Sequence, residues 1–208
     1  MEERYLDDCL VNHYLALLQD RDDQFCNKDD TRLHSKFFSS FFMERLTDAR
    51  EYGHISVSNY DYVRVKRWSR QRFIQEKDIF DLEKIFIPIH NNKHWTCIMV
   101  LIQEKRIQYY CSLHRKGMDH IQIVMKYIQD EWRNKKRDVP EPNWNDWELI
   151  PTQPFTPTQD NGVDCGLFMS YFVDLLSLGL PLDFSQTHIN AHAREKYALS
   201  IMNNQLIK

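Results

Sequence analysis

Hydrophobic positions recur along the chain with two different periods, and the changes between them divide it. From Tyr5 to Leu18, residues Leu6, Leu10, Tyr14 and Leu17 fall on one helical face, with Val11 and Leu18 beside it. The polar stretch 19–33 predicts a loop. In segment 34–49, Phe37, Phe38, Phe41, Phe42 and Leu46 form a wide apolar stripe and predict a second helix. Residues 53–72 mix Tyr, Val and Arg and predict loop with a short helix. The period then drops to two. Lys84–His90 alternates, His94–Ile102 is nearly all apolar, and Arg106–Leu113 follows a polar turn, which is the spacing of a three-stranded meander. Helical periodicity returns over 119–135, where Ile121, Val124, Met125 and Ile128 share a face. Pro140 and Pro142 break the chain, and Trp147–Thr152 predicts a fourth strand. The helix predicted over 167–178 is apolar on nearly all sides and belongs in the core, stopped by Gly179 and Pro181. A last helix is predicted over 186–206. This order predicts one α+β domain over residues 1–208, with helices around a mixed sheet.

A chain of 208 residues buries a core without disulfides or metals. The 27 Lys+Arg residues nearly balance 30 Asp+Glu, so the net charge of −3 removes the electrostatic reason to expect nucleic acid or an anionic membrane as the main partner. No apolar run approaches the roughly 18 residues of a membrane span. Met1-Glu2-Glu3-Arg4 leads into no apolar signal core. Cysteines stand at 9, 26, 97, 111 and 165. Their odd number, long spacings and lack of a Cys-x-x-Cys argue against a disulfide framework and a zinc finger, and for a reducing compartment.

Cys165 carries the most chemical interest. It follows a glycine-containing turn and opens the most apolar helix, where unpaired N–H groups and the positive dipole end favour a thiolate. Gly166 has no side chain, which would let a substrate backbone approach the sulfur. Taken alone, a free cysteine is more often a small buried hydrophobe; the turn chemistry around Cys165 shifts that balance. A cysteine nucleophile needs an imidazole to hold the thiolate and later protonate the leaving amine. Of nine histidines, His94 is the best placed, at the start of the most apolar strand after Asn91-Asn92-Lys93, with Trp95 as an apolar neighbour. His188 and His192 have metal-compatible spacing. They lack the intervening Glu of His-Glu-x-x-His and a third ligand, so they read as helix-surface residues.

Taken in order, these segments resemble the catalytic domain of the SUMO-specific proteases, the Ulp/SENP group. The resemblance rests on His94-Trp95, on Tyr109-Tyr110-Cys111-Ser112-Leu113, and on Gln159-Asp160-Asn161-Gly162-Val163-Asp164-Cys165-Gly166. It extends to Tyr5-Leu6-Asp7-Asp8, Phe37–Phe42, Val65–Arg70 around Arg67 and Trp68, Ile85–Ile89, and Phe184-Ser185-Gln186. It covers nearly the whole chain and implies a papain-like cysteine-protease core with the order His, acid, Cys. It also implies a nuclear or cytoplasmic protein, acting as a monomer with no metal or organic cofactor, whose partner is SUMO or a related ubiquitin-like modifier and its conjugates. Cys165 would be the nucleophile and His94 its base and acid. Gln159 would donate to the oxyanion. Trp95 and Tyr5 would flank a narrow channel for the modifier's C-terminal Gly-Gly. Asp8, Arg67 and Trp68 would bind the modifier, Asp8 facing one of its basic residues.

One position departs from the family pattern. Where the family has an Asp that orients the histidine, this chain has Cys111, a poor acceptor for an imidazole N–H. The chain is then a natural variant with weakened chemistry, an altered sequence, or an enzyme in which a water or another carboxylate (Asp160, Asp164 or Asp119) orients His94. A modifier-binding protein with impaired catalysis and an acyltransferase with a related core are the rival functions. The Phe-Phe and Gly-Gly-channel segments argue against the acyltransferase.

Overall fold

The computed structural model describes residues 5–69 and 78–207. Its centre is a five-stranded sheet in the order β1-β2-β3-β4-β5, made of Ser35–Phe37, Lys84–Asn91, His94–Leu101, Arg106–Tyr110 and Glu148–Ile150. The three middle strands are the expected antiparallel meander, and β1 and β5 add in parallel at the edges. The β2–β3 turn closes through Asn92 and Lys93, both with positive φ (51° and 59°), the conformation whose twist suits a two-residue hairpin. That tight turn places His94 and Trp95 at the end of the central strand.

Strand β3 is buried on both faces, which accounts for its unbroken apolar run. Trp95, Cys97, Met99 and Leu101 join a core with helices α1 (Asp8–Cys26), α5 (Cys165–Ser177) and α6 (Ala191–Met202). Ile98 and Val100 face the opposite core, built with α2 (Phe41–Leu46) and α4 (Met118–Lys135). A short helix α3 (Ala49–Tyr52) comes just before the segment read as loop with a short helix, which holds two 3₁₀ turns, Val57–Asn59 and Tyr62–Arg64. Residues 70–72 of that reading, with Arg70 of the family-like segment, lie outside the described residues, as does the charged start Met1–Arg4. The mixed α+β architecture expected from the sequence is the one observed.

Five local expectations are corrected. Helix α1 runs on to Cys26, through residues expected to form a loop. Its polar face is buried because it bonds the edge of β1: Asp22, 2% exposed, accepts the Ser35 N–H at 2.7 Å, and the Gln19 amide bonds both Ser35 O and Phe37 N–H. The helix expected over 34–49 is instead strand β1 followed by α2. Its phenylalanines divide between the two sheet faces, Phe37 stacking on Phe86 at 5.0 Å and Phe38 lying tilted against Phe42 at 4.2 Å, which alternation along a strand permits and a single helix face does not. The last helical segment is a 3₁₀ turn, Gln186–His188, then α6 with Asn190 capping its first N–H groups. Helix α5 begins at Cys165, two residues before the apolar run, and β5 spans three residues of the six expected.

Candidate active site

Cys165 occupies the first turn of α5 and is 1% exposed. The main-chain N–H groups of Trp95, Gly166 and Cys165 itself favour its thiolate. Burial opposes them and prevails, pushing the thiol above its ordinary value of 9.0, with a smaller contribution in the same direction from the Asp164 charge. The helix terminus therefore acts as expected, but it does not win.

Gly166 has a different role from the one expected. A Cβ there would stand 3.0 Å from Leu6 Cβ and 3.2 Å from Trp95 Cδ1. The missing side chain lets α5 close against Leu6 and Trp95; the space is filled by the protein and is not an approach path for substrate.

His94 Nε2 lies 3.3 Å from Cys111 Sγ. The pairing of Cys97 with Tyr110 explains this meeting. One step further along, Cys111 stands opposite Thr96, on the same sheet face as His94. The sulfur also accepts the Leu113 N–H at 3.4 Å. Among the described residues no carboxylate hydrogen-bonds His94. Asp164 is bound elsewhere, and Asp160 and Asp119 are exposed. Burial depresses the His94 pKa to about 4, helped by the charges of Arg115 and His90. At neutral pH the pair is an imidazole and a thiol, both uncharged.

Gln159 is buried and stitched to the residue after Cys111. Its side-chain oxygen accepts the Ser112 hydroxyl at 2.5 Å, its backbone N–H bonds Ser112 O at 3.1 Å, and its amide donates to Asn161 O at 2.6 Å. This links the end of β4 to the loop that leads into Cys165.

The remaining expected residues fall in two places. Tyr5 is 53% exposed and leans over the loop, with its hydroxyl 4.0 Å from where a Cβ on Gly162 would stand. Trp95 is 1% exposed; its indole N–H donates to Leu6 O at 3.0 Å. Asp8 accepts the Ser40 hydroxyl at 2.8 Å and pairs with His90 at 3.2 Å, so its carboxylate already has partners within the chain. Trp68 packs at the edge of the α2–α4 core, 6.0 Å from the Phe42 ring, and Arg67 beside it is exposed. The sequence reading missed His90. It stacks on Trp95 with ring centroids 4.2 Å apart and planes 6° from parallel. The signal was available, since a two-residue turn at Asn92-Lys93 puts His90 directly opposite Trp95.

Away from this site, Asp22, Cys26 and His34 bring three donor atoms within 4.8 Å of one another. Arg32 approaches Asp22 at 3.4 Å, and its guanidinium supplies the positive charge there. Among the described residues no helix is long and apolar enough to cross a membrane.

Residues 4–205 match the Ulp1 protease family, C-terminal catalytic domain. The chain is 33% identical over 185 residues to ubiquitin-like-specific protease ESD4 of Arabidopsis thaliana, covering 89% of this chain and 35% of that protein. It is 29% identical over 204 residues to sentrin-specific protease 2 of Homo sapiens, covering 98% and 31%. It thus spans about a third of the length of these curated relatives. Among solved structures, the C-terminal Ulp1 protease domain in complex with Smt3, the yeast ortholog of SUMO, superposes with a TM-score of 0.74 at 25% identity, covering 99% of this chain and 80% of the other. The Ulp1-like SUMO protease catalytic domain of Chaetomium thermophilum shares the fold, with a TM-score of 0.75 at 17% identity over 99% and 75%. A mixed sheet with a histidine at one strand end, packed on a buried helix that a cysteine opens, is therefore the papain-like core of its relatives, and this chain belongs to the Ulp1 protease family, C-terminal catalytic domain.

Proposed function

We propose that residues 1–208 act as one catalytic domain, a cysteine protease that cleaves after the C-terminal Gly-Gly of SUMO or a related ubiquitin-like modifier. It would both process precursors and release the modifier from lysine. The observation that carries this reading is the placement of buried Cys165 at the opening of α5, in one core cluster with Trp95, the residue after His94. Relatives named for sentrin and for ubiquitin-like modifiers, and a neighbour held in complex with Smt3, support SUMO as the modifier.

With Nε2 turned to Cys111, Nδ1 is the His94 nitrogen left to take the Cys165 proton. The sulfur then attacks the glycine carbonyl carbon. Oxygen gains charge in the tetrahedral intermediate, where main-chain N–H groups and Gln159 donate to it. Collapse expels the lysine amine, which takes the proton from the imidazolium. Water, deprotonated by His94, hydrolyses the thioester and frees the enzyme. No metal or organic cofactor enters any step. Tyr5 and Trp95 line the approach of the Gly-Gly tail, and Asp8, Arg67 and Trp68 bind the folded body of the modifier. The domain works as a monomer in the nucleus or cytoplasm and uses neither nucleic acid nor membrane. Cys111 lowers the rate without changing the reaction.

A panel of SUMO, ubiquitin and other modifiers carrying a C-terminal fluorophore tests this, with kcat/KM as the readout. SUMO should be preferred, and Cys165→Ser should abolish cleavage while modifier binding persists. Turnover by Cys165→Ser near that of the unmodified chain would overturn the assignment. Binding without labelling by a modifier bearing a C-terminal electrophile would establish a modifier-binding protein in place of an enzyme.

A further inference from the structure

Asp164 is the N-cap residue of α5, immediately before Cys165, yet its side chain does not cap the helix. An aspartate at this position ordinarily accepts an N–H from the second or third helical residue. Here the carboxylate, 3% exposed, is drawn back by three partners. Arg194 of α6 donates to Oδ1; Asn161 and Gln186 donate to Oδ2 at 2.6 and 2.8 Å. Arg194 also reaches Val163 O at 3.5 Å. Gln186 accepts the Asp160 N–H at 3.1 Å and donates to Ile189 O at 3.2 Å. The C-terminal segment thus grips the loop preceding the cysteine at both ends. The first turn of α5 is left without a side-chain cap, and the Cys165 and Gly166 N–H groups favour the thiolate.

We infer that Arg194 and Gln186 are positioning residues that hold the Asp164 carboxylate away from its own helix terminus, keeping the N–H groups there open for anionic sulfur and oxygen. Asp164 is buried and charged, so it needs donors wherever it turns. Without Arg194, the nearest alternatives are the free N–H groups of α5, where an N-cap carboxylate is normally stable. A carboxylate in that position would occupy donors meant for the thiolate and the oxyanion and would place a second negative charge beside them. This assigns a task to the Phe184-Ser185-Gln186 segment, and it rests on Cys165 being the nucleophile.

The test is Arg194→Gln, read by kcat and KM on the modifier fluorophore substrate, by the pH dependence of Cys165 alkylation followed on its own peptide by mass spectrometry, and by modifier affinity in the Cys165→Ser form. The expected result is a kcat about tenfold lower at unchanged KM and affinity, with the alkylation limb moved up by roughly one pH unit. Arg194→Lys should restore part of the rate. Arg194→Gln with Asp164→Ala should also recover activity, because no side chain then remains to fill the helix mouth. Gln186→Ala is the milder variant if Arg194→Gln does not fold, and should shift the alkylation limb in the same direction. An unchanged limb in the variants, or a double variant no better than Arg194→Gln, would overturn the inference. Failure of the nucleophile assignment shows itself separately, as turnover by Cys165→Ser.

Discussion

Replacing Cys111 with Asp should restore the missing third member of the catalytic group. In the present chain His94 Nε2 lies 3.3 Å from the Cys111 sulfur, and burial depresses the imidazole pKa to about 4 while it raises that of the Cys165 thiol. Moving a proton from Cys165 to His94 is therefore uphill. A carboxylate at position 111 would have two donors in reach, His94 Nε2 and the Leu113 N–H, so its burial is compensated. An adjacent opposite charge raises an imidazole pKa by about 1–3 pH units, and each is worth about 1.4 kcal/mol. The transfer becomes easier by about 1.4–4 kcal/mol, and kcat/KM should rise about 10- to 10³-fold. This is below the roughly 10⁴-fold effect of the aspartate in a serine triad. The sign in pH is fixed as well. The base must be unprotonated in the free enzyme, so the acid limb of kcat/KM lies near pH 4 in the present chain and moves upward in Cys111→Asp. Rates with a fluorogenic modifier from pH 3.5 to 9, with thermal melts alongside, measure both. An acid limb still near pH 4, with unchanged or lower activity and a lower melting temperature, would refute the placement of Cys111 as the group that orients His94.

Gly166→Ala should destabilise the fold by about 1–3 kcal/mol, because the new Cβ meets Leu6 Cβ at 3.0 Å and Trp95 Cδ1 at 3.2 Å with little room for either to move. Calorimetry would read this as a lower melting temperature, and an unchanged melt would show that the contact is loose. If Gln159 serves as the proposed oxyanion donor, Gln159→Ala should lower kcat about 10²- to 10³-fold with less effect on KM, because its amide would then bind charge that exists only in the transition state. A pure KM effect would reduce it to substrate binding. Stability should fall in acid. Below about pH 6.5 the unfolded chain protonates His94, while the folded protein refuses that proton until about pH 4, so stability present above 6.5 is lost on descending through this window. Discounted for partial exposure, the loss is about 2 kcal/mol. His94→Gln should flatten the melting curve against pH without abolishing the slope, since buried His120 is depressed in the same direction; an equal slope in the variant would count against a buried neutral His94.

The sequence alone determined the parts of this protein that local physics controls. Period-two runs in 84–110 gave the meander, the uniformly apolar run after Cys165 gave the central helix, and the Asn92-Lys93 turn placed His94 at a strand end. The ordered motifs were enough to recognise the family. Tertiary structure decided what depends on partners far along the chain. Gln19 and Asp22 look like loop residues until the edge of β1, thirteen or more positions on, gives them backbone groups to bond. Phe37 and Phe38 look helical until the sheet offers a core on each face. Gly166 looks like an opening for substrate until Leu6, 160 residues earlier, fills the space. Asp164 looks like an ordinary helix cap until Arg194 pulls it away. Whether Cys165 and His94 rest charged or neutral was likewise settled by burial, a property of the whole packed molecule that no single stretch of sequence carries.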